Sequence, residues 1–210
     1  MYKINDSLSE IENKKRRSDF VFLVVVAFVL LFMSVIVFLN TQVFFSVYVS
    51  GSSMSPTLKS GNVLFVNKVI DATDGDIIII DGVKPNQSGT GYDWLIKRAI
   101  VVGKKGRVIS AKIGVDGYIY VDGKKLNENY LPSGTKTTSD QTYTEWEIKE
   151  GEILYLGDNR SNSTDSRHYG VCKKENVVGV VQNWALSMRK VSRFFYDVGE
   201  FFRTSFKGAS

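Results

Sequence analysis

Residues 20–39 are apolar at every position except Ser34, and no other feature restricts the fold as strongly. At 1.5 Å per residue, a helix of that length reaches roughly 30 Å, the thickness of a bilayer's hydrocarbon core. A helix lying on a soluble domain keeps one polar face, and this run has none. A cleavable leader would carry a shorter apolar stretch, about 7–15 residues, ending in a small-x-small site. Asn40-Thr41-Gln42-Val43-Phe44 follows instead, so residues 18–40 read as a retained transmembrane anchor. Lys14-Lys15-Arg16-Arg17 stand directly before it, and no Lys or Arg follows until Lys59. The positive-inside rule then keeps residues 1–17 as a cytoplasmic tail and carries the rest across the cell membrane as an extracytoplasmic domain.

The distribution of charge says more than the net +5. Residues 1–17 hold five Lys/Arg against three acids, residues 184–210 five against two, and residues 18–183 seventeen of each. A chain that is basic only at its ends suits the headgroups of an anionic phospholipid bilayer and argues against a nucleic-acid partner. A single cysteine, Cys172, and a single histidine, His168, exclude a disulfide framework and a Cys/His zinc cluster. No metal and no cofactor are expected. The two lie four residues apart, and nothing in Gly170-Val171-Cys172-Lys173-Lys174 resembles an activated thiol. A buried small hydrophobe and a loop histidine are the default readings.

Beyond the anchor the chain reads as mostly β. Short β-branched or aromatic runs occur at 43–49, 63–66, 76–80, 97–102, 152–156 and 177–181, most of them punctuated by Gly, Asn or Asp. Tyr118-Ile119-Tyr120-Val121 lies between Asp116-Gly117 and Asp122-Gly123, the clearest hairpin signal. No helical period longer than two turns appears between residues 50 and 180. Residues 41–183 therefore predict a β-rich domain large enough for one core, with surface loops at 85–91 and 132–143.

Three segments carry chemistry. Ser50-Gly51-Ser52-Ser53-Met54-Ser55-Pro56-Thr57-Leu58 can present a hydroxyl and a backbone N–H to a carbonyl, although Gly/Ser-rich turns are common. Trp94-Leu95-Ile96-Lys97-Arg98-Ala99-Ile100 sets a lysine inside an apolar strand. It either points to solvent by strand alternation or is held buried at a cost. The run from Gly157-Asp158-Asn159-Arg160 through Ser163, Asp165-Ser166-Arg167 and Gly170 is too polar for a strand or helix and reads as a loop held by Asp–Arg pairs.

In this order, behind a basic flank and an anchor, the segments resemble the type I signal peptidases, membrane-bound serine proteases with a Ser–Lys dyad. The resemblance spans residues 14 to about 183 and implies a signal-peptidase-like β-domain. Ser53-Met54 with Pro56-Thr57-Leu58 looks like the nucleophile box, Ile96-Lys97-Arg98 like the general-base box, and the polar loop matches the third box at nearly every characteristic position. Two places depart from the pattern. Val101-Val102-Gly103-Lys104-Lys105-Gly106 replaces the turn that usually follows the base. Gly51 stands where some members carry a serine that donates to the oxyanion.

The resemblance implies acyl transfer, with Ser53 as nucleophile and Lys97 as the base that takes its proton. An ordinary lysine, near 10.4, would have to lose its proton about three pH units earlier, a cost of roughly 4 kcal/mol, and burial among Leu95, Ile96 and Ile100 could supply it. Ser163 would orient the amine, an Asp165–Arg167 pair would stiffen the loop, and the Ser53 N–H would meet the oxyanion. The implied substrates are the signal peptides of secreted pre-proteins, cut after a small-x-small motif; extended binding beside a strand edge near 41–49 would give backbone hydrogen bonds, and shallow pockets would admit only small side chains. A self-cleaving repressor with the same dyad would bring a DNA-binding helix-turn-helix in place of an anchor. A non-hydrolytic assembly protein would have lost the dyad.

The tail is read from periodicity. Trp184, Met188, Val191, Phe195, Val198, Phe202 and Phe206 recur on one helical face across residues 184–210. Such an amphipathic helix either packs on the β-domain or lies in the membrane interface with its basic face toward anionic headgroups.

Overall fold

The computed structural model describes residues 2–85, 92–138, 141–188, 192–194 and 196–197. Most of the expected loop at 85–91, and Val191, Phe195, Val198, Phe202 and Phe206 of the tail, lie outside the described residues. The chain forms two compact units, Met1–Val43 and Phe44–Ser210.

The first unit is a helix, α1 (Tyr2–Phe38), closed by a π-type turn at Leu39–Val43. Helix thus runs through the stretch expected as a tail as well as the apolar run. Its segment Lys15–Phe38 is long and apolar enough to cross a membrane. Phe20, Phe28 and Leu30 are 67%, 69% and 65% exposed, so the apolar surface of this helix is left uncovered in the chain.

The second unit is built on two antiparallel sheets. Strands β1 (Phe44–Tyr48), β2 (Val63–Asn67), β3 (Ile77–Pro85), β4 (Tyr92–Val102), β9 (Glu152–Leu156), β10 (Cys172–Lys173) and β11 (Val177–Val181) form a seven-stranded sheet in the order β1-β2-β11-β3-β4-β9-β10. Strands β5 (Ile109–Ile113), β6 (Ile119–Val121), β7 (Lys124–Lys125) and β8 (Glu145–Ile148) form a smaller one in the order β7-β6-β5-β8. Strand β3 has no polar alternation because both of its faces are covered. Ile77 and Ile79 enter a cluster with Val47, Met54, Leu58 and Leu64, while Ile78 and Ile80 enter one with Leu95, Ala99 and Tyr155. Each such isoleucine stabilises by roughly 1.5–3 kcal/mol relative to exposure. Strand β5 alternates: Ile109, Ala111 and Ile113 join Ile119, Trp146 and Ile148 against Leu154 and Leu156 of the large sheet. The β6–β7 turn carries Asp122 at φ 47° and Gly123 at φ 76°, the two left-handed residues that the Asp-Gly signal requires.

Three details differ from the sequence reading. Strands β5, β7, β8 and β10 fall outside the expected runs, β3 and β4 are longer than the apolar runs that mark them, and the polar segment after Gly157 is not wholly a loop. It contains one helical turn, α2 (Ser166–Tyr169), whose first N–H groups are capped when the Asp165 carboxylate accepts from the Arg167 N–H at 3.2 Å. A single turn α3 (Asn183–Ser187) begins the tail. Its Ala185 is fully buried in the first cluster, and the Trp184 ring sits 5.8 Å from Phe44 and 6.3 Å from Phe65. The start of the tail therefore packs on the β-domain.

Candidate active site

Lys97 is opposite Ile78 in the β3–β4 register and is 4% exposed, so strand alternation does not send it to solvent. Its Nζ donates to Ser53 Oγ at 2.9 Å and to the Ile96 carbonyl at 3.0 Å. Two residues 44 apart in sequence are thus brought into contact, a hydroxyl with an amine that is shielded from bulk water. That is the arrangement in which an amine can exchange a proton with a serine hydroxyl.

The loop bearing Ser53 is held from both ends. Gly51 takes φ +89°, left-handed backbone that a serine at this position would strain. The Ser55 N–H donates to the Ser52 carbonyl at 3.0 Å, and the Leu58 N–H to the Met54 carbonyl at 2.9 Å. The polar segment closes over it: the Asn159 N–H donates to the Ser53 carbonyl at 3.0 Å, and Asn159 Nδ2 to the Ser52 carbonyl at 3.1 Å. Gly157 is a glycine because of close approach. A Cβ there would collide with the Ser163 side chain and lie 2.5 Å from the Ser53 carbonyl oxygen.

Beneath this loop is a buried polar network. Asp158 accepts from Arg98 twice, at 2.8 Å from Nε and 2.6 Å from Nη2, and its Oδ2 accepts from the Thr57 hydroxyl at 2.5 Å. Arg160 does not pair with Asp158; it pairs with Glu128 and donates to Thr137 Oγ1 at 2.8 Å and the Gly157 carbonyl at 3.1 Å. Asp165 and Arg167 do pair, at 2.9 Å on both carboxylate oxygens, while Asp165 Oδ2 also accepts from the Gly157 N–H at 2.9 Å. Burial would raise the Asp165 carboxyl, but the bonds and charge of Arg167 and the Gly157 N–H outweigh it and hold it below 3.8. Burial likewise opposes the charge on Arg160, and Glu128 overrides it and raises the guanidinium further.

Ser53, Lys97, Gly51 and Ser163 line one cleft of about 750 Å³. The Ser163 hydroxyl is buried there without a hydrogen-bond partner. Asp158, Arg160, Asp165 and Arg167 lie in the network and do not line the cleft. The cleft also takes in Ser46–Val49 of the β1 region and Asp93–Ile96 of β4. Strand β1 is the outermost of its sheet, hydrogen-bonded as a strand to β2 alone among the described residues. Glu128, Tyr130 and Tyr196 escaped sequence reasoning. Tyr130 donates to Glu128 at 2.6 Å and stacks its ring 3.9 Å from the Arg98 guanidinium. A Glu and a Tyr in an Asn/Leu-rich turn carry no local sign of partners some thirty residues away. Cys172 is buried, and burial pushes its thiol up to about 12, which leaves it protonated at neutral pH. His168 Nδ1 is buried without a partner.

Comparison with known proteins gives the family of the chain. The family described as "Signal peptidase, peptidase S26" matches residues 19–185. "Signal peptidase I P" of Bacillus subtilis subsp. natto is 31% identical over 183 residues, covering 80% of this chain and 90% of that protein. "Signal peptidase I V" of Bacillus subtilis (strain 168) is 33% identical over 158 residues, with coverage of 69% and 87%. "Signal peptidase I" of Bacillus caldolyticus is 35% identical over 161 residues, with coverage of 70% and 82%. A match over that much of the sequence shows that this chain belongs to the signal peptidase family of serine peptidases, peptidase S26, which cleaves signal peptides.

Proposed function

We propose that this chain is a membrane-bound serine endopeptidase that removes signal peptides from secreted pre-proteins through a dyad of Ser53 and Lys97. The observation that carries it is the 2.9 Å contact between Lys97 Nζ and Ser53 Oγ inside an open cleft. The neutral amine takes the hydroxyl proton along that contact while Oγ bonds to the scissile carbonyl carbon. The oxyanion that forms is met by the Ser53 backbone N–H; Gly51 offers no hydroxyl. The C–N bond breaks as the Lys97 ammonium protonates the departing amine, leaving an ester on Ser53. Lys97 then takes a proton from water as its oxygen bonds to the ester carbon; the C–Oγ bond breaks, the Lys97 ammonium returns the proton to Oγ, and the acid product leaves. Ser163 orients the amine, and Asp158, Arg160, Asp165 and Arg167 hold the loop.

The outer edge of β1 and the facing stretch of β4 supply backbone groups for an extended substrate, so recognition rests on main-chain hydrogen bonds and on the depth of the side-chain pockets. The apolar segment Lys15–Phe38 serves as a single-pass anchor in the cell membrane. Lys14 to Arg17 keep the N-terminus cytoplasmic and send the peptidase outside. Anionic phospholipid is a second partner, engaged by the basic tail.

The test is direct. Detergent-solubilised full chain is incubated with a pre-protein, and the product is sized and sequenced at its new N-terminus. Wild type should release the mature protein while Ser53→Ala leaves it intact; equal amounts of intact substrate from both would defeat the proposal.

A further inference from the structure

Tyr196 lies beyond the stretch that matches the family, yet it lines the same cleft as Ser53 and Lys97. It gets there because residues 192–194 and 196–197 lie back on the β-domain. The Ser192 N–H and hydroxyl both bond to the Met188 carbonyl, at 3.0 and 3.2 Å, and Ser192 is fully buried. Arg193 Nη1 donates to the Gly61 carbonyl at 3.3 Å, its Nε is held by Asp197 at 3.0 Å, and its guanidinium lies 6.0 Å from the Tyr48 ring. The Tyr196 ring then sits 6.2 Å from that of Tyr48, tilted by 36°. Tyr48 is the last residue of β1 and is 45% exposed, and Val47 beside it is buried in the core, so Tyr48 stands on the solvent face of the edge strand.

We infer that Tyr196 and Tyr48 together form a side-chain subsite of the peptide cleft. It takes an apolar side chain of the substrate, on the acyl side of the cut, projecting from the face of the peptide that meets the two rings. The chemistry follows from the surfaces. Two phenol rings in tilted contact offer a flat, rigid, largely apolar wall at small cost in conformational freedom. A peptide paired to the β1 edge sends alternate side chains to that face. The two rings differ in origin: Tyr48 comes with the strand, and Tyr196 is brought by the tail. Clasped by Arg193 and Ser192, the tail is a wall of the cleft in addition to any role at a membrane, and it would give this chain a preference that its sheet alone does not carry.

The inference rests on the Ser53–Lys97 reading, and the experiment separates the two. Full chain in detergent cleaves a series of peptides that differ at one acyl-side position at a time, each as Ala, Leu or Asp. Wild type should favour Leu over Ala by roughly three- to tenfold in kcat/KM at one position, as an open apolar subsite allows. Tyr196→Ala should bring that ratio to about one, through KM, while Tyr196→Phe keeps it; Arg193→Ala, which loosens the clasp, should fall between. A ratio unchanged in Tyr196→Ala, or equal losses for Leu and Ala at every position, overturns the subsite and leaves the dyad standing. Wild type that cuts no peptide better than Ser53→Ala overturns both.

Discussion

Lys97 and Arg98 are adjacent on β4, and successive side chains of a strand leave on opposite faces. One enters a cleft lined by hydroxyls and open to substrate. The other enters a dry network in which Arg98, Arg160 and Arg167 are each bound to a carboxylate, those of Asp158, Glu128 and Asp165. In the network the Asp165 carboxyl is held low by Arg167 and the Gly157 N–H, and the Arg160 guanidinium is held charged by Glu128. In the cleft, an amine against a hydroxyl can hand a proton either way. Basic residues one position apart thus meet opposite surroundings, a hydroxyl-lined cleft and a set of buried carboxylates.

The largest effect should come from breaking the cleft side. Lys97→Arg keeps the positive charge and removes any accessible neutral form. Cleavage should fall by roughly 10³–10⁴, the upper part of what a positioned base contributes. The thermal midpoint should move by only a few degrees. Steady-state turnover settles this, and a variant retaining a tenth of wild-type activity would sink the role given to Lys97.

Breaking the network should do the reverse. Asp165→Asn leaves the buried Arg167 guanidinium without its carboxylate, which should cost about 3–5 kcal/mol of stability. Turnover, measured well below the new midpoint, should change less than stability. The pH dependence has a definite sign. Asp165 titrates lower in the folded chain than the ordinary 3.8, so its contribution is complete above that value and is lost as pH falls through the folded value. Wild type should therefore lose stability below about pH 4 along a steeper limb than Asp165→Asn in denaturant titrations. Parallel limbs would show that the carboxylate is not held as described.

Ser163→Ala sharpens the contrast with a smaller effect. The Ser163 hydroxyl is buried without a well-formed hydrogen bond and acts on the fold only as a minor contributor to holding the Asp165 carboxyl low, so its removal takes little from the fold. The midpoint should hold within about 2 °C or rise, since an unsatisfied buried hydroxyl is itself a cost. Turnover should drop roughly tenfold, about one hydrogen bond's worth, because the amine loses a partner as it gives up its proton to the leaving group. A midpoint that drops more than that of Asp165→Asn would reverse the two assignments.

Legibility of the sequence followed the same division. On the cleft side, local pattern alone left Ser53 in a common Gly/Ser-rich turn and Lys97 either exposed or buried; the family resemblance singled the two out, and the fold brings them into contact. The network was readable only where its partners are close in sequence, as in Asp165 and Arg167. Arg160 with Glu128, and Arg98 with both Asp158 and Tyr130, join segments that no spacing connects, and Asp158 and Arg160 look like each other's partner until the fold separates them. In the scaffold, four consecutive isoleucines marked β3 plainly. Ile109-Ser110-Ala111-Lys112-Ile113 alternates as a strand should, but two polar residues and an alanine gave it little β propensity. Glu145–Ile148 is only two alternations long.

The smallest effect concerns a residue that belongs to neither side. Cys172 pairs with Ile153 in the β9–β10 register, and it is buried with its thiol pushed up to about 12. A thiol reacts through its thiolate, and at pH 7.5 a group titrating there is ionised to roughly one part in 10⁴ or less. Native protein treated with N-ethylmaleimide should therefore keep its full cleavage rate and gain no mass. The same protein in denaturant should gain one adduct. Cys172→Ala should cleave as wild type does and lose about 1 kcal/mol of stability, the worth of a small buried group. The sign of the pH effect also follows: a thiol raised in the folded chain favours folding below its ordinary value near 9, and that contribution fades as pH climbs toward 12. Inactivation by maleimide under native conditions would put a thiol in the reaction and would set Cys172, rather than Ser53, beside Lys97 as the group to explain.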